Sequence, residues 1–460
     1  MSENSADEFR EAADAVYAEL LERLGEAHPE RRLTATRRAL DILGDPQRAF
    51  PIIHITGTNG KTSTSRIAES ILRAYGLRTG LFTSPHLERF NERILLDGEP
   101  ISDEALVQAW QDVKPYVELV DLELQDAGQQ RLTFFEVVTV LGFAAFADAP
   151  VDVAVVEVGM GGEWDSTNAA DGQIAVFTPI ALDHTAILGG TVAEIARTKA
   201  GIIKPLAAVV SAAQEPAVIA ELERAAELSE ASLAIQPGQF DVIESTVAVG
   251  GQLISVRGLA GTYENLFLPL YGAHQAQNAA TAIAAVESFL GGGAAPLNIG
   301  LLEEGLAQAT SPGRLQLVGI EPTVLVDAAH NPAGAESLAA ALHAFFDFDE
   351  IAVVLGILRD KDVHGVVDRL ATVASRFYAT QSHSERARAA TDLAADIARW
   401  SDVEVAIVDD LADAVEEARA WAAAGERRAV VVTGSITLIG EVMAIAAERG
   451  WKPAKREVAE

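Results

Sequence analysis

Pro51-Ile52-Ile53-His54-Ile55, followed by Thr56-Gly57-Thr58-Asn59-Gly60-Lys61-Thr62, is the stretch that decides the fold. The first five residues form an apolar, β-branched run that reads as a buried strand. A glycine-bearing loop follows it, and then a helical pattern over Ser63–Tyr75. Small residues at a strand-to-helix turn let backbone N–H groups approach a phosphate, and the helix dipole favours its charge. Lys61 is placed to reach the outer phosphates, and the Thr62 hydroxyl is placed to bind Mg²⁺. Ile55 stands where the usual phosphate loop has its first glycine. The alternative is an ordinary turn, but the Lys61-Thr62 pair in this context favours a nucleotide.

Outward from that loop, short apolar runs recur at Leu81-Phe82, Val151–Val158, Gln173–Pro179 and Ala207–Ala212. Near-continuous apolarity marks strands covered on both faces, as in a parallel sheet. Upstream, the first fifty residues read as two amphipathic helices, with a turn at Gly25–Pro29 and a stop at Gly44-Asp45-Pro46. Residues 240–270 alternate and turn at Gly250-Gly251 and Gly258–Gly261, the pattern of an antiparallel insertion. Beyond Gly291-Gly292-Gly293 the βα rhythm restarts, with strand-like segments Thr323–Val326, Ile351–Leu355, Arg376–Ala379, Val403–Val408 and Ala429–Val432. The expected architecture is α/β. It comprises an N-terminal domain over 1–311 with a P-loop-type, mostly parallel sheet, and a smaller Rossmann-like domain over 312–460. The tail from Lys452 reads as polar and frayed.

The chain of 460 residues has a net charge of −32 and no cysteine. Disulfides and thiolate–metal sites are therefore excluded, and an acidic surface without a basic stripe speaks against nucleic acid. No apolar run of spanning length appears, and Met1-Ser2-Glu3-Asn4 lacks the features of a signal peptide, so a soluble cytoplasmic protein is expected. Such a surface also repels ATP, so any phosphate site must bring its own positive charge.

Further candidates sit at strand ends. Glu157 closes the Val151–Val158 run and precedes Gly159-Met160-Gly161-Gly162, while Asp183-His184 follows the Gln173–Pro179 run. With Ser84, Glu157 and His184 form a donor shell hard enough for Mg²⁺. Lys199 lies in Thr198-Lys199-Ala200-Gly201-Ile202-Ile203; taken alone it reads as a snorkelling helix residue. Arg89 and Arg93, after Thr83-Ser84-Pro85-His86-Leu87, suit bidentate pairing with carboxylates, but taken alone surface arginines beside Glu88 and Glu92 are usually solvated pairs.

The ordered set GTNGKTS (57–63), TSPHL (83–87), EVGMGG (157–162), DHTAILG (183–189), KAGII (199–203), GAHQAQNA (272–279), SPGRLQ (311–316), DAAHNP (327–332), GILRDKD (356–362) and TGSITLIGEV (433–442) resembles folylpolyglutamate synthase/dihydrofolate synthase, a branch of the Mur ligase superfamily. The resemblance implies an ATP-dependent ligase that adds L-glutamate to a folate or dihydropteroate through an acyl phosphate. It implies that Thr58, Asn59, Gly60, Lys61, Thr62 and Asn278 hold the nucleotide, and that Thr62, Ser84, Glu157, His184 and Lys199 serve two Mg²⁺ sites. In the family the lysine matching Lys199 is carbamylated. Arg314, Asp327 and His330 are implied to close over ATP and glutamate from the second domain, and Lys61, Lys199 and His330 to act in catalysis. Phe134 and Phe135 resemble the pterin side of the folate pocket, and Arg89 and His330 are implied to bind substrate with them. A monomer is implied. Three departures stand out: Thr62 where many relatives have glycine, Glu163 where they usually carry arginine, and Thr198 where glutamate is common. Two nearby readings are a UDP-muramoyl Mur ligase, which GKT suits, and a non-catalytic ATP-binding homologue. A motion-coupled P-loop NTPase leaves the second βα unit unexplained.

Overall fold

The computed structural model describes residues 3–26 and 29–451, the side chains of 3–5 excepted. The expected turn at Gly25–Pro29 and the tail from Lys452 therefore lie partly and wholly outside the described residues. The chain divides into two compact units. The first comprises Met1–Ser245, Leu253–Leu268 and Ala276–Ala309, and the second Thr246–Gln252, Pro269–Gln275 and Thr310–Glu460.

In the first unit, strands β1 (Ile52–Thr56), β2 (Thr79–Phe82), β3 (Ile94–Leu96), β4 (Glu99–Pro100), β5 (Val153–Glu157), β6 (Ile174–Phe177), β7 (Ala208–Ser211) and β8 (Ser232–Ile235) make one sheet ordered β4-β3-β2-β5-β1-β6-β7-β8. Six consecutive strands pair in parallel, and only the β2–β3 and β3–β4 pairings at one edge are antiparallel. All five residues of both β1 and β5 are buried, as their continuous apolarity predicts. From β1 the chain crosses to β2 on one side, and from β5 to β6 on the other. The carboxyl ends of β1 and β5 thus flank a topological switch point, where open α/β sheets gather ligands.

Helices cover this sheet. Glu3–Leu21, Thr34–Ile42, Asp103–Asp126 and Phe134–Asp148 bury Leu20, Leu40, Trp110, Val137 and Phe146 in one cluster with Ile52 and Val156. Val192–Ala200 and Pro216–Leu228 bury Ile195 and Leu222 in another with Phe177 and Val209. Helix Phe134–Asp148 starts from a Thr133/Glu136 capping box, and Arg32 then grips both Glu136 oxygens at 2.9 Å. The same guanidinium reaches Gln130 O and Arg131 O, so the segment before Thr34 fixes where that helix begins.

The alternating 240–270 segment forms β9 (Asp241–Ala248), β10 (Gly251–Arg257) and β11 (Thr262–Leu268), a three-stranded sheet. In the second unit β12 (Gln316–Ile320), β13 (Thr323–Asp327), β14 (Glu350–Leu355), β15 (Arg376–Ala379), β16 (Val405–Ile407) and β17 (Arg428–Thr433) order as β12-β13-β17-β14-β15-β16. All pair in parallel except β12, an antiparallel edge that the sequence pattern did not announce. Among the described residues no helix is long and apolar enough to cross a membrane.

Candidate active site

Thr56 ends β1, and helix Lys61–Ala74 starts five residues later. Gly60 adopts φ 88°, and a Cβ there would lie 2.5 Å from Asn278 Oδ1, so the loop turns sharply against that amide. The N–H groups of Thr58 and Asn59 do not point outward: both donate to Pro179 O, at 2.9 and 3.3 Å. Thr58 also exchanges hydrogen bonds with Ala181 through its hydroxyl. The loop is thereby strapped to the segment after β6, and anion-facing donors are left to the first turn of the helix, whose N–H groups have no intrahelical acceptors.

Lys61 folds back so that Nζ donates to Gly57 O and Thr58 O, each at 3.2 Å. Lys199, fully buried, donates to the same Gly57 O at 2.7 Å. Its ammonium is pushed down to about 7, first by burial and then by the charge of Lys61; Asp183 and Asp165 pull the other way. Glu157, 1% exposed, receives the Thr62 hydroxyl midway between its carboxylate oxygens, 3.0 Å from each. Ser84 follows β2 and precedes a cis Pro85; His184 follows β6 in a left-handed conformation (φ 49°), its ring 4.0 Å from Asp183. Thr62, Ser84, Glu157 and His184 therefore hang from the carboxyl ends of four adjacent parallel strands, β1, β2, β5 and β6.

A buried carboxylate with a hydroxyl on both oxygens is a hard-oxygen donor pair of the kind Mg²⁺ takes. Among the described residues no three His, Cys, Asp or Glu are gathered to hold a metal, so hydroxyls and a modified Lys199 would have to complete the shell.

The aromatic pair divides. Phe134 packs in the core with Tyr17 and Phe90, under the Arg93 guanidinium at 5.2 Å, and lines a cavity of about 110 Å³ with Tyr17, Arg23 and Glu26. Phe135 turns the other way, toward Phe82 and Gly159. Arg89 is engaged by Asp103, at 2.9 and 3.2 Å, and by Asp14. Arg93 pairs with Glu26 and donates to His86 Nδ1 at 2.8 Å; burial, then Arg93, push His86 down to about 3. Glu163 holds its side chain in solvent while its N–H donates to Thr198 O, so two of the three departures from the family pattern meet through the backbone.

In the second unit Asp327 ends β13 and accepts Leu315 N and Ala329 N at 2.8 and 2.9 Å. His330 Nδ1 lies 2.9 Å from Ala328 O. Arg314 Nη1 reaches Gly313 O at 3.3 Å. Half-buried His274 senses Asp327 and Arg314, and desolvation lowers its proton affinity. Sequence reading passed over Asp165, which is fully buried and binds Met160 N and Thr167; its only local signal is an acid inside an apolar, glycine-rich stretch.

The Mur ligase middle domain family matches residues 55–286, and the Mur ligase glutamate ligase domain matches residues 313–436. The Mycobacterium tuberculosis dihydrofolate synthase/folylpolyglutamate synthase is 42% identical over 443 residues, covering 91% of each chain. The Bacillus subtilis enzyme of the same name is 35% identical, covering 87% of this chain and 91% of its own. Among solved structures, the M. tuberculosis folylpolyglutamate synthase complexed with ADP superimposes with a TM-score of 0.91 at 41% identity, over 95% of this chain and 99% of that one. E. coli FolC in complex with DHPP and ADP gives 0.82 at 30%, over 95% and 98%. With its ten motifs in order on this fold, the chain belongs to the folylpolyglutamate synthase/dihydrofolate synthase family of the Mur ligase superfamily.

Proposed function

We propose that this chain joins L-glutamate to the carboxylate of a folate or dihydropteroate at the expense of ATP. The observation that carries the reading is the Lys61–Gly57–Lys199 and Thr62–Glu157 constellation at the switch point of the sheet. The substrate carboxylate attacks the γ-phosphorus, ADP leaves, and the amino group of glutamate then displaces phosphate from the acyl carbon. Lys61 and the first turn of its helix stabilise charge on the phosphoryl oxygens, which is positional and electrostatic catalysis. Gly60, Thr58 and Asn59 shape the loop, and Asn278 backs it.

Thr62 and Glu157 fit Mg²⁺, with Ser84, His184 and a carbamylated Lys199 as the remaining ligands of two sites. Bound there, the metal supplies positive charge that neutralises phosphate oxygens. Lys199 suits carbamylation because a lysine with its proton affinity near neutrality offers a free amine. Phe135 beside Gly159 supplies a flat apolar wall for a pterin, and Phe134 and Arg89 are assigned to the substrate side as well. His330, Asp327 and Arg314 are assigned to glutamate and nucleotide. The enzyme is read as a cytoplasmic monomer.

The test is glutamate-dependent ADP release, run in parallel with dihydropteroate, tetrahydrofolate and a UDP-muramoyl peptide. Turnover with either of the first two is expected. Turnover with the last alone makes the chain a peptidoglycan ligase, and none at all makes it a non-catalytic homologue.

A further inference from the structure

His54 occupies the middle of β1, opposite Val156 of β5 and Ala175 of β6, with no exposed surface. A valine or isoleucine would fill that position without burying polar atoms. Nε2 lies 2.9 Å from Thr167 Oγ1, while Nδ1 has no partner among the described residues. The Thr167 hydroxyl spends its single hydrogen on Asp165 Oδ1, at 2.5 Å. Its oxygen must therefore accept from His54, which fixes the proton on Nε2 and leaves the orphan at Nδ1. Burial, and then the charge of Lys204, push the imidazole down to about 3, so it stays neutral.

Asp165 is where the chain of bonds ends. Its Oδ1 also accepts Thr167 N at 3.0 Å, and its Oδ2 accepts Met160 N at 2.9 Å. One face of the loop held this way meets Phe135, because a Cβ on Gly159 would lie 2.5 Å from that ring. The other end meets Lys199: Glu163 N donates to Thr198 O at 2.8 Å, and a Cβ on Gly162 would lie 2.6 Å from Lys199 O.

We propose that His54 is a positioning residue for the substrate side of the site, acting through Thr167 and Asp165 on the loop Gly159–Gly162. The inference rests on the folate reading for what the Phe135 wall binds, but not for the bonds themselves. A donor at the Nε2 position orients the Thr167 hydroxyl toward Asp165, and the carboxylate in turn sets Met160 and Gly159 against Phe135.

The variants are H54F, which keeps shape without the donor, H54Q, whose amide nitrogen restores it, and T167V, which cuts the same chain outside β1. H54F and T167V are expected to raise KM for the folate or dihydropteroate substrate about tenfold while KM for ATP moves less than about twofold, and H54Q is expected to return within about threefold of the parent. Equal rises in both KM values, unchanged values, or an H54Q as impaired as H54F overturn the proposal. Should H54F not fold, T167V carries the comparison. Should the parent turn over no folate, the substrate reading fails separately. Amide hydrogen exchange over residues 159–164 then decides: faster exchange in T167V supports the relay, and parent-like exchange ends it.

Discussion

Lys61 and Lys199, distant in sequence, donate to one carbonyl oxygen, Gly57 O, at 3.2 and 2.7 Å. Burial, and then the repulsion between two ammonium groups on one acceptor, make the buried one yield. Lys199 keeps its proton only up to about 7 in the folded chain, against an ordinary value of 10.5. Between those values the unfolded chain binds more protons, so stability rises with pH across that window. In CO₂-free buffer, the Lys199→Met variant is expected to lose this slope, as read by denaturant midpoints from pH 7 to 10.

The same neutral amine is open to CO₂: a N–C bond forms as one C=O π bond opens, one proton leaves, and the neutral amine becomes a carbamate anion. Degassed enzyme is expected to lose activity and to regain it on adding bicarbonate, while Lys199→Met is silent to both. Activity indifferent to bicarbonate would remove the carbamate from the account.

Lys61→Ala is expected to lower kcat for ADP release about a thousandfold, because charge stabilisation of the transferred phosphoryl group is its task. The melting temperature should change little, since the half-buried ammonium holds carbonyls of its own loop and a buried lysine still reaches Gly57 O.

Glu157→Gln keeps an acceptor for the Thr62 hydroxyl but removes the charge. Activity is expected to fall about a hundredfold, with a higher Mg²⁺ concentration needed for half-maximal rate. A Mg²⁺ dependence identical to the parent's would place the metal elsewhere.

Arg32→Ala leaves Glu136 buried at 4% side-chain exposure without its counter-charge. A loss of about 3 kcal/mol of unfolding free energy is expected from denaturant melts. Because helix Phe134–Asp148 carries Phe135 at its second position, KM for the folate substrate should rise as well.

With a net charge of −32, the chain also opposes its anionic substrates at long range. Moderate salt should lower KM for ATP, up to the point where screening weakens Lys61 itself.

The parallel strands were legible because β1, β5, β6 and β7 are apolar runs buried on both faces, and the loop at 57–62 because its residue types announce a phosphate. Edge strands were not. Glu99–Pro100 is two residues long, and Gln316–Ile320 contains Gly319 at a bulge, so neither carries a periodic signal. Glu157 and Lys199 were visible as polar residues in apolar settings, but their partners were not: Thr62 lies 95 residues from Glu157, and Gly57 lies 142 from Lys199. The division of Phe134 from Phe135 depends on which way each ring leaves the first turn of a helix. The resemblance named both residues without that direction. His54 read simply as part of a strand, since the hydroxyl that explains it lies 113 residues downstream.

The placement of β1 between β5 and β6 has a consequence for synthesis. Residues 52–56 emerge from the ribosome early, yet both hydrogen-bonded neighbours, at 153–157 and 174–177, come about a hundred residues later, roughly 5–20 s of elongation. Until then the nascent chain carries an unpaired apolar strand and no formed phosphate loop, because Pro179 has not yet been made to accept Thr58 and Asn59. Nucleotide can therefore reward folding only after that point, and any fragment ending before it is a client for a chaperone rather than a small ATP-binding module.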